Sequence, residues 1–221
     1  MSIDKDIDML YEIGTLRHVN RTWRQFGGSD FANVAEHMFR VAWLAMVIAK
    51  QEGGDVGKSV CMALAHDLGE TRTGDANYLS KMYVAHNEFD AVKHSTAGTS
   101  IQDYVTALWI EYEERESLEA KIVKDADNLD CDLELAEEAA RGSSISKSLA
   151  PTREAVFQKL FTPTARRLYE EIQRSDPHRW HLTGRNRLTA GDWKINPPPI
   201  QRELDLREEE TDPRSDSDES K

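Results

Sequence analysis

Residues 61–75 read CMALAHDLGETRTGD, and the reading of this stretch decides the fold. Val60, Leu64, Ala65 and Leu68 recur at helical spacing, so residues 57–69 are predicted to form a helix with one buried face. That helix ends in an ionisable pair, His66–Asp67, with two more carboxylates behind it at Glu70 and Asp75. Burying a carboxylate without a partner is costly. Unless the pair is a structural accident, something positively charged sits beside it.

The same period runs through the neighbouring sequence. Residues 4–17 predict a short amphipathic helix, and 18–33 a loop marked by Gly27–Gly28 and Ser29–Asp30. Residues 34–51 predict a helix with a wide apolar face, stopped by Gly53–Gly54. Residues 78–109 read as mostly helical but polar. The longest clear helix spans 116–141 through Leu118, Ile122, Ala126, Leu129, Leu133, Ala136 and Ala140. A helix at 152–161 follows, and Thr162–Pro163 reads as the cap and first residue of another, reaching about Arg174. No alternating strand pattern competes. The expectation is an all-α, compact bundle of about five to seven helices over residues 1–175. An irregular extension over 176–202 and an acidic tail over 203–221 with the composition of a disordered segment complete the chain.

Composition narrows the function. The chain has 221 residues and a net charge of −12, and residues 203–221 hold nine acids against three bases. An acidic surface argues against a nucleic-acid polymer as partner, because phosphate neutralisation needs basic residues. No run approaches about 18 apolar residues, and the acidic start MSIDKDIDML lacks a signal-peptide pattern. A cytoplasmic protein that does not engage membranes is expected. Cys61 and Cys131 form no CxxC and read as free thiols.

Two further groups join the opening pair. His37 shares a stripe with Val41, Leu44 and Ile48, so it points inward. Asp127, in KDADNLD, lies a turn after Val123 and a turn before Cys131. Each alone reads more simply as a core histidine or a solvated acid. Together, two His and two Asp from three helices can converge in a bundle core. Imidazole plus carboxylate suits a divalent transition metal, and four protein ligands leave positions open for water and a substrate oxygen.

The ordered set His37, His66–Asp67, Asp127 resembles the HD-domain superfamily of metal-dependent phosphohydrolases. The segments NVAEHMFRVAWLAMVIA, MALAHDLGETRTGD and LWIEYEERESLEAKIVKDADNLD resemble its 5'-deoxynucleotidase branch, and the resemblance covers roughly residues 10–140. It implies one divalent ion (Mn, Co, Mg, Fe, Ni or Zn) held by His37, His66, Asp67 and Asp127. It implies that Glu70 works beside the metal and that Asp75 positions or activates the attacking water. Trp23 matches the tryptophan that packs against the sugar. Arg21 stands near the position of a phosphate-orienting arginine, with Arg24 as the alternative because Thr22 intervenes. Lys81 falls where the branch carries a lysine near the phosphate. The resemblance also implies a small nucleotide substrate and a homodimer. His86 and His94 lie where dinuclear relatives insert extra ligands, but their polar surroundings favour an entrance or surface position. A nucleoside triphosphate substrate and a non-catalytic nucleotide-binding module remain the rival readings.

Overall fold

Asn33 starts the helix on which the rest of the fold is assembled. Its side-chain oxygen accepts from the Glu36 amide at 2.9 Å while Glu36 accepts from the Asn33 amide at 3.0 Å, a reciprocal cap that satisfies two otherwise orphaned donors. In the computed structural model, which describes residues 2–28 and 31–183, every regular element is helical. One isolated bridge, Asn20 to Asn33, is the exception. In chain order the helices are α1 (Ile3–Gly14), α2 (Arg24–Gly27), α3 (Val34–Glu52), α4 (Val56–Ala63), α5 (Glu70–Thr73), α6 (Glu88–Thr96), α7 (Gln102–Glu114), α8 (Leu118–Ala140), α9 (Ile145–Phe157), α10 (Pro163–Ile172) and α11 (Arg179–Leu182). Single 3-10 turns lie at Thr15–His18 and Ser80–Met82. The all-α expectation holds. The helices outnumber the expectation because several expected segments are broken. The acidic tail at 203–221 and the 176–202 extension from residue 184 onward lie outside the described residues, and the described start of that extension, expected to be irregular, holds the short α11.

The first compact unit, residues 1–177, is built round α8. This helix packs against α3, α4, α7, α9 and α10. Val41, Ala45, Ile48, Met62, Ile122, Val123, Ala126 and Leu129 interlock as its core, all fully buried. Ala45 and Ala49 on α3 and Ala63 on α4 are fully buried in this core, and His37 and the turns that follow α4 lie beside Asp127. The second unit contributes the described residues 178–183, with α11 as its single turn of helix.

Three boundaries differ from the sequence expectation, each for a physical reason. The helix expected to reach residue 69 stops at Ala63 and continues as turns. The break frees the Ala63 carbonyl, which would otherwise accept from the Asp67 amide in a continued helix, to accept from His66 Nδ1 at 2.7 Å. The stretch 78–109 splits into α6 and α7 at a turn where Gly98 adopts φ +78°. Finally, α9 begins at Ile145 rather than 152 and carries Pro151 inside it. Buried Leu149 and Arg153 hold it there; Arg153 grips Asp132 on α8 with two bonds of 2.8 and 2.7 Å. That anchorage offsets the backbone bond that a mid-helix proline removes.

Candidate metal centre

His37 comes from the first turns of α3, His66 and Asp67 from the turns after α4, and Asp127 from the middle of α8. Their side chains meet. His37 Nε2 lies 3.4 Å from an Asp67 oxygen and 3.3 Å from an Asp127 oxygen, and His66 Nε2 lies 3.2 Å from the same Asp67 oxygen. One ring nitrogen each of His37 and His66 and an Asp127 oxygen fall within 4.8 Å of one another.

The proton positions on both imidazoles follow from their other nitrogens. A carbonyl can only accept, so His66 Nδ1 donates to Ala63 and leaves Nε2 with a free lone pair. His37 Nδ1 faces Asp130 at 2.6 Å and donates to that carboxylate. Both Nε2 atoms are buried and without a hydrogen-bond partner among the described residues. Two unpartnered ring nitrogens beside two carboxylates are the donor set a divalent ion takes once it displaces any proton there. Ligands sharing an ion at about 2.1 Å stand roughly 3.0–3.4 Å apart, which these separations match.

The charge balance points the same way. Burial and the Arg21 charge lower the His37 pKa, yet Asp127, Asp130 and Asp67 outweigh them and raise it well above its usual range, so that the position of Nε2 favours a cation, a proton when no ion is bound and an ion in that proton's place. The site draws in positive charge. Burial works against the Asp127 carboxylate too, but Lys124 and the two histidines keep it well below the usual carboxylate range. Glu70 is the exception: burial and the charges of Asp67 and Asp75 raise it to about 10, and its Oε2 has no hydrogen-bond partner among the described residues.

The remaining sequence-predicted residues gather around the same cavity of about 650 Å³, lined by Arg21, Trp23, Glu70, Asp75 and Lys81 together with His66, Asp67 and Asp127. Arg21 is buried, 3.7 Å from Asp67. Arg24, the alternative, donates twice to the Phe31 carbonyl, at 3.0 and 2.7 Å, and staples its own loop instead. The intervening Thr22 fastens this loop to the far wall, because its amide and hydroxyl both donate to one oxygen of Asp75. Asn77 ties the same two loops together, donating to Gln25 at 3.1 Å and accepting from the Leu79 and Ser80 amides. Thus Arg21 and Trp23 arrive beside Asp75 and Lys81. Trp23 is braced by Phe26 and Tyr78, with ring centroids 6.2 and 5.8 Å away. His86 lines the cavity, whereas His94 is exposed on α6.

Sequence reasoning missed four members of the site. Lys124 lines the cavity and pairs with Asp127 at 2.7 Å. Tyr112 packs edge-on against His66 with centroids 5.3 Å apart. Arg115 lies on the face of Tyr112. Asp130 orients His37 and also binds Arg40, which reaches on to Glu137 at 2.7 Å. Lys124 and Asp130 were detectable, because each stands three residues from Asp127 and so shares its helix face.

Comparison with known proteins agrees with this geometry. The family described as HD domain matches residues 13–172. The 5'-deoxynucleotidase HDDC2 of Danio rerio is 35% identical over 136 residues, covering 58% of this chain and 66% of that protein. The Homo sapiens 5'-deoxynucleotidase HDDC2 is 33% identical over 137 residues, 59% of this chain and 67% of that protein. The chain therefore spans about two thirds of the length of the curated relatives it matches. A solved structure from Magnetospirillum magnetotacticum, described as a predicted metal-dependent phosphohydrolase, superposes with a TM-score of 0.56 at 26% identity, covering 78% of this chain and 95% of that one.

Proposed function

This chain belongs to the HD-domain family, and on that premise we propose that it removes the 5'-phosphate from deoxynucleoside monophosphates. The observation that carries the reading is the pair of buried, unpartnered Nε2 atoms facing Asp67 and Asp127. His37, His66, Asp67 and Asp127 would hold one divalent ion. When bound, the ion neutralises phosphate charge and acidifies a water molecule.

The chain's own residues supply the rest. Arg21, on the Asp67 flank, presents a planar fork to the non-bridging phosphate oxygens. Lys124 meets them on the Asp127 flank, and Lys81 adds charge farther along the wall. Asp75 has one oxygen tied down by Thr22, so the other is positioned to accept the water proton. Glu70 Oε2 is a second proton-holding atom beside it. Trp23 is the wall on which a deoxyribose packs. The 5'-oxygen then leaves with the nucleoside.

A phosphate-release screen with metal-supplemented protein tests this over deoxy- and ribonucleoside mono- and triphosphates. Phosphate should come from deoxynucleoside monophosphates. Asp75→Asn should lower kcat by about 10²–10⁴-fold, the usual worth of a positioned proton acceptor, with metal content retained. Tripolyphosphate from triphosphates, with nothing released from monophosphates, would replace this reading with the triphosphate one.

A homodimer belongs to the same proposal. Phe39, Trp43 and Val47 recur every four residues on α3 and are 65%, 54% and 43% exposed, an apolar stripe that suits a second copy. If the stripe is the interface, Trp43→Glu should shift the sedimentation coefficient from dimer to monomer. A cytoplasmic setting is also part of the reading, and two free cysteines suit a reducing compartment.

A further inference from the structure

One wall of the cavity is not used by the chemistry above. Trp109, Tyr112 and Arg115 stand three residues apart near the end of α7, on one stripe, and all line the cavity. Tyr112 joins this stripe to the metal centre, its hydroxyl donating to Asp127 at 3.4 Å. Beyond it, the Arg115 guanidinium lies 3.4 Å from the Tyr112 ring centroid. On the other side, Trp109 packs against Phe89 with centroids 5.8 Å apart.

This wall carries donors with no acceptor. Trp109 is only 8% exposed, and its Nε1 donates to nothing among the described residues; the same holds for Arg115 Nη1. An indole N–H can only donate, so an internal acceptor is what it lacks. Arg115 is also the only non-glycine residue with positive φ among the described residues, at +57°. Glycine takes that conformation freely, and an L side chain pays for it in strain. The Arg115 guanidinium is paired with Glu113 through Nη2 at 3.3 Å, which leaves Nη1 as its open donor; backbone strain of this kind clusters at ligand clamps.

The chemistry of the wall selects its ligand. Glu88 and Glu113 line the same region and offset Arg115 and Lys81, so it is not a sleeve for extra phosphates. It offers flat rings and buried donors left without an acceptor instead. That combination fits a heteroaromatic ring with a carbonyl on its edge. We propose that Trp109 and Arg115 read the keto edge of the substrate's nucleobase, a specificity role that rests on the nucleotidase reading above.

The test compares thymidine 5'-monophosphate with 2-deoxyribose 5-phosphate, which lacks the base, in wild type, Arg115→Gly and Trp109→Phe. Each variant should lower the ratio of the two kcat/KM values by about tenfold or more, the worth of a lost charged or buried hydrogen bond. Calorimetry with thymidine, which carries no phosphate, should show weaker binding to both variants. Arg115→Gly also relieves the backbone strain, so its melting temperature should stay close to that of wild type. An equal loss on both phosphate esters would assign Arg115 to the phosphate and overturn the proposal. An unchanged ratio with unchanged thymidine affinity would overturn it too. If no phosphate is released from either ester but thymidine binding weakens in the variants, the wall stands and the proposed reaction fails.

Discussion

Asp67→Ala is expected to abolish phosphate release and metal uptake together. One Asp67 oxygen faces both imidazoles, 3.4 Å from His37 Nε2 and 3.2 Å from His66 Nε2, so no other carboxylate can take its place without moving the backbone. Residues that merely orient a ligand are worth about 10–100-fold in affinity or activity. Losing the ligand itself should therefore cost at least about 10³-fold in kcat/KM. A thermal readout separates this from unfolding. An ion that binds only the folded chain raises its melting temperature in proportion to ln(1 + [M]/Kd). In wild type, added Mn²⁺ should raise it; in Asp67→Ala the increment should vanish. Asp67 also partners Arg21, His37 and His66, so the metal-free variant should melt below wild type but still in one cooperative transition, and the missing Mn²⁺ increment is read from that transition. Full metal occupancy in the variant, with activity retained, would remove Asp67 from the ligand set.

The core of this site was legible because its members are inward-facing polar residues on strongly periodic helices. His37 and Asp127 lie on α3 and α8, whose buried positions repeat cleanly. A polar residue on such a face stands out. The twin acids of KDAD also separate by period. Asp125 turns away from Asp127 and is fully buried, accepting from the Phe161 and Thr162 amides and the Thr162 hydroxyl. It caps the start of α10 rather than joining the proposed ligand set.

What was not legible depends on chain segments without a period. Arg21 and Trp23 occupy a loop whose course is set by pairings with residues far along the chain: Thr22 with Asp75, Asn77 with Gln25, and the Ala32 amide with Glu134. No local pattern says that Arg21 enters the cavity while Arg24 turns back to Phe31. The end of α4 was missed for a related reason. Its apolar spacing continues to Leu68, and only the demand of His66 Nδ1 for an acceptor explains why the helix opens at Ala63. Arg115 was hidden because a left-handed backbone is ordinarily signalled by glycine, and the chain has arginine there.

Asp130→Ala should be the most damaging single change to stability in this region, and it should weaken metal binding from outside the ligand set. Asp130 is 1% exposed and serves two cations, accepting from His37 Nδ1 at 2.6 Å and from Arg40. Burial alone would raise its pKa, but His37 and Arg40 hold it below the usual carboxylate range. Removing one member of a buried charged set leaves the others uncompensated and typically costs about 3–5 kcal/mol. Urea unfolding of the metal-free protein should show a loss of that size. The second effect is on the ligand. Without Asp130, nothing fixes which His37 nitrogen carries the proton or how the ring is turned, so metal affinity should fall about 10–100-fold. Arg40→Met separates the two effects. It removes the guanidinium that reaches Asp130 and Glu137 but leaves the His37–Asp130 hydrogen bond. It should therefore lower stability while changing metal affinity much less than Asp130→Ala does. Equal loss of metal affinity in both variants would mean that Asp130 acts through general destabilisation of the α3–α8 contact. A selective loss in Asp130→Ala would mean that it acts by holding the His37 ring and its proton in place, which is how a residue that never touches the ion sets the strength with which the ion is bound.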